Sequence, residues 1–597
     1  VTGDISNNII QNNFDVIYSG NTTTVHVIDI NPKKDVVSSI GSTESLNGKT
    51  VPINSVIYYR LDSSNLPANR ATNVNSWSFK DPLDTKVVAT GDVHILANGD
   101  LSSGNTNIKK NDDITKYFNI NYDKGVYTIS PTDEYKSLTN KTTNKANSYS
   151  IYIGAKVIKA GWAVNTATEE LNGDNDKTNE VKTFSFDPVN PDPKKDASIG
   201  HNDNRNIVSI NGMGVTKGDT ISYQLKGQPL VQYHETINKF SAVDRFDEGI
   251  KYEGYHAYLF TKDGKQIDVT DMLSQQIDGN TVPWVAKDAL LKLMNSDEYN
   301  TKESVTPTII AYAKVTADGI KNIENTYTLY INGKTDISNI VTNHTNDYKP
   351  GKSETVAGND SNGKTVITND KVKFDVAIDL KGLNQNTAIS DEQLRKGITV
   401  VDTLQDKNHV IRALAPEIEM QLSDSKGNVI KEWSGSFDEN ETKDQHVINL
   451  TLGEKGKLRD FLKKYGGQVL HLTYYAFVED GKSGDITNQA TVTIFGNDYS
   501  TNVTKNTVKD INPHKDIVVN AGDTTSIDGS TVPLNSTYNY KLKAQELPTN
   551  RATIVSDWVQ TDKLDLVHVQ PTNQWKVYTN TDFTDKDGRT VKAGTDI

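Results

Sequence analysis

Pro32-Lys33-Lys34 opens a stretch rich in Val, Thr and Tyr, and related triplets return at Pro193-Lys194-Lys195, Pro350-Gly351-Lys352 and Pro513-His514-Lys515. The residue before the last Lys varies, so Lys34, Lys195, Lys352 and Lys515 are the shared element. Three of the triplets lead into Asn-Gly turns (Asn47-Gly48, Asn211-Gly212, Asn362-Gly363), each feeding a strand. An Asp follows each Lys after 47 to 50 residues: Asp81, Asp244, Asp402 and Asp562. A repeat of this length signals an array of modules, each large enough to hold its own core.

The third recurring residue is an Asn placed eight residues before a Gly that closes a strand, as in Asn325–Gly333 and Asn488–Gly496. Asn12–Gly20 follows the same rule ahead of the first triplet. In the first unit the closing segment is read as Asn179-Glu180-Val181. The expected organisation is therefore 1–31 as the last strand of a preceding truncated domain, complete units at 32–190, 191–347 and 348–510, and a partial unit at 511–597. The partial unit is most like the first, sharing Leu-Pro-x-Asn-Arg-Ala-Thr at 66–72 and 547–553.

Composition narrows the class. A chain of 597 residues exceeds one core. With 26 Tyr and only 4 Met it favours strands and turns over helices. A net charge of -13 offers no basic stripe to neutralise phosphate, which argues against nucleic acid as a partner. There are no cysteines, so disulfides, thiolate metal sites and a Cys nucleophile are excluded. No apolar run reaches membrane-spanning length and no signal peptide is visible, though neither absence argues for a cytoplasmic protein. The fold class expected is all-β: tandem Ig-like sandwiches in an elongated rod, with short crossover helices over 284–295 and 457–465.

Strand alternation places the recurring residues on inward faces, because residues two apart share a face. Asp81 follows Trp77 and Phe79, Asp244 follows Phe240 and Ala242, and Asp402 follows Ile398 and Val400. Asn325 shares a face with Tyr327 and Leu329, and Asn488 with Ala490 and Val492. Val36, Ala197 and Ile517 lie beside their Lys; Glu354 beside Lys352 is the departure. A buried charge neutralises rather than stay isolated: burial lowers a Lys pKa and raises that of an Asp. A neutral amine is a nucleophile, and a protonated Asp polarises an amide carbonyl while moving protons. Attack of the Lys on the Asn side chain with loss of ammonia would give an isopeptide bond, once per domain and without a cofactor. The expected set is thus Lys34, Lys195, Lys352 and Lys515 with Asn179, Asn325, Asn488 and Asn12, under catalysis by Asp81, Asp244, Asp402 and Asp562.

Asn31-Pro32-Lys33-Lys34-Asp35-Val36, the Leu-Pro-x-Asn-Arg-Ala stretches, Asp81-Pro82-Leu83-Asp84 and Asn488 through Asn497 resemble the C-terminal stalk domains of the streptococcal antigen I/II surface adhesins. The resemblance implies a DE-variant Ig-like fold and Lys–Asn isopeptides with an Asp catalyst. It also implies an extracellular, wall-anchored adhesin of a Gram-positive bacterium. Its partners would be host or bacterial surface glycoproteins and glycans, with neighbouring domains of the same chain and no membrane insertion within these residues.

Other motifs are weaker. Gly212-Met213-Gly214 lacks the strand–helix context of a phosphate loop, and His234-Glu235 has no partner His at zinc spacing. Calcium would sit at Asp174-Asn175-Asp176 or Asp585-Lys586-Asp587, but neither has a full ligand loop, and solvated turns are the better reading. A binding reading would use segments between the Asp and the late strand, such as 85–147, as exposed insertions. An appended cell-wall enzyme has least support.

Overall fold

The computed structural model describes residues 9–12, 23–408, 410–413, 419–434, 438–439 and 445–597. The strand expected over 12–21 lies outside the described residues apart from Asn12, which ends the strand Ile9–Asn12.

Each complete unit is a sandwich of two mainly antiparallel sheets around its own core, and the chain is a tandem of Ig-like β-sandwiches. The strand that carries the Lys lies at or next to the edge of one sheet. In the first unit the order is Lys33–Val37, Val56–Asp62, Tyr149–Val157, Val87–Ala97. The second runs Lys194–Ile199, Thr220–Lys226, Val305–Val315, Ile250–Thr261. In the third the corresponding strands are Gly351–Val356, Lys371–Asp379 and Val469–Val478. The strand that carries the Asp lies inside the facing sheet: Trp77–Pro82, Phe240–Arg245 and Ile398–Gln405.

Alternation accounts for these elements. Trp77, Phe79 and Asp81 are buried while Lys80 and Pro82 are exposed; in Ile398–Gln405 every second residue is buried. Full burial of a Val, Leu, Ile or Phe side chain contributes roughly 1.5–3 kcal/mol, so these rows fix register strongly. A one-residue slip would turn the Asp outward and the core row with it. The Asn-Gly turns bind the front of each unit to its last strand. Gly48, Gly212 and Gly363 have φ of 75°, 81° and 74°, a conformation that suits Gly. Their N–H groups donate to Lys182, Thr342 and Lys505 carbonyls at 2.7 Å each.

Two expectations need correction. The segment 85–147 is not an exposed insertion: Val87–Ala97 completes the Lys sheet, and Phe118–Asp123 and Val126–Pro131 extend the Asp sheet. The helix expected over 284–295 starts only at Asp288 and runs to Met294, because Trp284 and Val282 belong to the strand Thr281–Ala286. The expected helix over 457–465 forms at Leu458–Tyr465. Helices at Asp133–Lys141 and Asp391–Lys396 were not anticipated, although Thr132 and Ser390 cap them with their side chains.

Candidate functional site: a Lys, an Asp and an Asn between the sheets

The Lys and Asp of each complete unit meet across the sandwich. Lys34 Nζ donates to Asp81 Oδ2 at 2.6 Å and Lys352 Nζ to Asp402 Oδ2 at 2.5 Å; Lys195 makes the same bond to Asp244. All six side chains are fully or almost fully buried. Only one oxygen of each carboxylate is used; Oδ1 of Asp81, Asp244 and Asp402 has no hydrogen-bond partner. Burial dominates the electrostatics. It pushes the Lys34 and Lys352 amines below the ordinary lysine range and Lys195 down to about 8, against the opposing pull of each Asp. Burial likewise raises Asp244.

The amide that joins this pair is Asn325 in the second unit and Asn488 in the third, both buried. Lys195 Nζ also reaches the Thr326 carbonyl at 3.2 Å, next to Asn325. In the third unit Asp402 lies opposite Ala490, which puts Asn488 two residues along on the same face.

The first unit departs from expectation. Asn179 is exposed and cannot share the core with Lys34. Its Oδ1 accepts from the Lys34 backbone N–H and its Nδ2 donates to the Lys34 carbonyl, both at 2.9 Å. Asn339 and Asn502 make the same two contacts with the backbones of Lys195 and Lys352. Asn179 thus belongs to a second set that clamps the Lys strand from outside. The buried amide of the first unit that lacks hydrogen-bond partners is Asn165, at the end of Gly161–Asn165. Thr168 lies opposite Lys80, so one further step sets Ala167 against Asp81, as Ala490 is set against Asp402. The signal was in the sequence. Asn165 precedes Gly173 by eight residues, and Asn165, Asn325 and Asn488 each precede their clamping Asn by fourteen.

Both amide atoms of Asn165 and Asn325, and Oδ1 of Asn488, have no hydrogen-bond partner. A stranded buried polar group costs roughly 1–3 kcal/mol, so these amides sit in a high-energy setting beside an amine whose pKa burial lowers. An aromatic ring floors each site: Lys34 Nζ is 4.9 Å from the Tyr59 ring centre and Lys195 Nζ 4.8 Å from that of Tyr223. Lys352 Nζ lies 5.6 Å from both Phe374 and Tyr474. Glu354 is buried beside Lys352 and pushed up to about 6 by burial.

In the residues after 511, Lys515 Nζ meets Asp562 Oδ1 at 2.5 Å, but in solvent, with the Lys side chain 42% exposed. The side chain of Asn12 lies outside the described residues. As for calcium, Asp174–Lys177 is an exposed strand, and the Asp585 carboxylate is taken by the Asp587 and Arg589 N–H groups and the Arg589 guanidinium. His234 is buried, its ring nitrogens facing the Glu235 and Met294 carbonyls.

The family described as Cell surface antigen C-terminus matches residues 31–185, 192–346 and 512–597, and the Cell surface antigen I/II C2 terminal domain matches 350–508. The aggregation substance of Enterococcus faecalis is 26% identical over 606 residues, covering 97% of this chain and 42% of that protein. The chain thus spans less than half of that relative's length. Among solved structures, the C-terminal domain of the Streptococcus pyogenes antigen I/II-family protein AspA is 18% identical over 53% of this chain and 99% of that one, with a TM-score of 0.27. The C-terminal domain of the Streptococcus agalactiae AgI/II polypeptide BspA is 18% identical over 53% of this chain and 100% of its own, with a TM-score of 0.26. With family matches over most of its length, the chain belongs to the antigen I/II-type cell-surface antigens, a family of adhesins displayed outside the cell.

Proposed function

We propose that these residues form the stalk of a fibrillar adhesin anchored to a Gram-positive cell wall. Each complete sandwich is tied once by an autocatalytic amide between its two sheets. The bonds are Lys34–Asn165, Lys195–Asn325 and Lys352–Asn488. The reading rests on one observation above all: three buried Lys–Asp pairs, each accompanied by a buried Asn amide with unsatisfied polar atoms.

The chemistry balances without a cofactor, and no substrate is turned over. The buried pair passes its proton from Nζ to the Asp carboxylate, leaving a neutral amine. Nζ attacks Cγ of the Asn, the protonated Asp stabilising the carbonyl oxygen. The Nζ–Cγ bond forms, the Cγ–Nδ2 bond breaks, the proton carried by the Asp leaves with Nδ2 as ammonia, and the Asp takes up the second Nζ proton. Holding the groups together in the core supplies about 7–11 kcal/mol of the barrier reduction. The product is a secondary amide, so the Nδ2 donors stranded on Asn165 and Asn325 are removed. Each bond closes a loop of 130 to 136 residues, and by the relation used for disulfides such a loop constrains the unfolded chain by about 5 kcal/mol. A protein without cysteines thereby gains the resistance that an exposed stalk needs. Contacts between units support the stalk reading. Gly214 N–H donates to Asn386 O and Ala388 N–H to Gly214 O, while Thr365 N–H donates to Asn550 O. Intact mass tests the bonds, since each removes one ammonia; a mass equal to the unmodified sequence would sink the proposal.

A second reading, direct binding of a surface glycan, draws on an open polar groove of about 450 Å³ in the first unit, lined by Asn75, Ser76, Ser78, Asn119, Thr132 and Glu170. Hydroxyl, amide and carboxylate groups in one groove suit a polyhydroxylated ligand. A glycan array probed with the whole chain and with Glu170→Ala tests it; equal signals from the two would remove the groove from consideration.

A further inference from the structure

Each complete unit places one phenol hydroxyl beside the reacting amide, but not always from the same strand. In the first two units the phenol belongs to the strand next to the Lys: Tyr59 is opposite Val36 and Tyr223 opposite Ala197. In the third unit that position is Phe374, opposite Glu354. Its neighbour on the next strand is Tyr474, whereas Tyr59 and Tyr223 face Ile153 and Ala311 there. The hydroxyl has moved one strand across the sheet while the site keeps its Lys, Asp and Asn. The two rings stack at 5.2 Å with 29° between their planes, so Tyr474 fills the same floor.

Tyr474 shows what the hydroxyl can do. Asn488 Nδ2 donates to Tyr474 Oη at 2.6 Å, and the Asp402 carboxylate lies close enough to help burial raise this phenol. Two hydrogen bonds thus flank the reacting centre, Lys352 Nζ to Asp402 on one side and Asn488 Nδ2, the atom that departs as ammonia, to Tyr474 on the other, with Oδ1 of Asp402 left without a partner. In the other units the Tyr59 and Tyr223 hydroxyls lie next to Asn165 and Asn325 but make no hydrogen bond.

We propose that Tyr474, and Tyr59 and Tyr223 in their units, relay the proton from the Asp to the leaving nitrogen of the Asn. The inference rests on the isopeptide reading above. Attack by Lys352 makes Nδ2 tetrahedral and basic. The Tyr474 hydroxyl gives its proton to Nδ2 and takes the proton that Asp402 received from Nζ. The Cγ–Nδ2 bond breaks and ammonia leaves; Asp402 takes the second Nζ proton and ends protonated, with the Tyr474 hydroxyl restored. The hydroxyl also holds the amide by its nitrogen, leaving the carbonyl carbon open to the amine. A phenol in an apolar core keeps its proton except when a neighbouring base takes it, because burial raises Tyr474 well above the ordinary range.

The test is a refolding time course of the full chain, isolated denatured and unlinked, with peptide mass mapping of the three linked pairs. The parent should link Lys352 to Asn488 along with the other two pairs. Tyr474→Phe should link this pair on the order of 10²-fold more slowly, a typical loss for a positioned proton donor, with Lys34–Asn165 and Lys195–Asn325 unaffected as internal controls. The double variant Phe374→Tyr/Tyr474→Phe returns the hydroxyl to the strand used in the first two units and should restore the rate; this guards against a variant that is slow only because it packs badly. Linkage by Tyr474→Phe at the parent rate would overturn the relay, as would a double variant no faster than Tyr474→Phe. A parent chain with no Lys352–Asn488 peptide would instead overturn the isopeptide reading itself.

Discussion

A buried lysine beside an aspartate is a poor source of stability, since the desolvation of two charges offsets most of their attraction. Its repetition at Lys34–Asp81, Lys195–Asp244 and Lys352–Asp402, each against a stranded amide, points to chemistry instead. Replacing Asp244 by Ala should leave the second unit unlinked and its neighbours linked. The loss is about 5 kcal/mol from the missing bond and roughly 3–5 kcal/mol from the uncompensated amine; peptide mapping and a thermal melt read both. The proton balance gives a second expectation. In Asn325→Ala the amine of Lys195 stays free, with a folded pKa of about 8 against 10.5 for an ordinary lysine. Between these values the unfolded chain binds the extra proton, so the stability of the unlinked unit rises with pH. The linked parent has no such titration. The gap in melting temperature between parent and variant should narrow from pH 8 to 10.5; a gap independent of pH would contradict the depressed lysine.

At the scale of strands, the Asp rows were legible because period-two alternation carries direction as well as type, and Trp77-x-Phe79-x-Asp81 has one reading. The Asn rows were legible where one long strand or two collinear ones carry them, as in Gly484–Ile494. The first unit misled because two asparagines recur fourteen residues apart, one for the core and one for the strand edge. Asn179 stands next to the last strand, whereas the spacing to a Gly belongs to Asn165. The clamp has its own expectation. Asn339→Ala removes two hydrogen bonds to the Lys195 backbone, lowering stability by about 1–3 kcal/mol while the Lys195–Asn325 bond still forms. Asn325→Ala should abolish that bond. The reverse pattern in mass mapping would restore the clamping residues to the chemistry. The phenol's change of strand was not legible, since it depends on which strands pair, as Phe374 does with Tyr474.

For the molecule as a whole, separate cores form in each complete unit, and each joins the next through a few residues: Ala388 packs into the core of the second unit and Ala552 into that of the third. The modular plan was visible in the triplets; these junctions were not, because single alanines carry no pattern. The units also differ in what they expose. Lys515 is open to solvent while Lys34, Lys195 and Lys352 are sealed. An amine-reactive reagent should therefore modify Lys515 in the folded chain and none of the other three, as read by peptide mass. The central claim is the set of three bonds, and the most direct test is the mass of the intact 597-residue chain, followed by mapping of its linked peptides. The account predicts a deficit of three ammonia molecules, with Lys34 joined to Asn165, Lys195 to Asn325 and Lys352 to Asn488; a mass equal to the sequence, or a bond from Lys34 to Asn179, would contradict it.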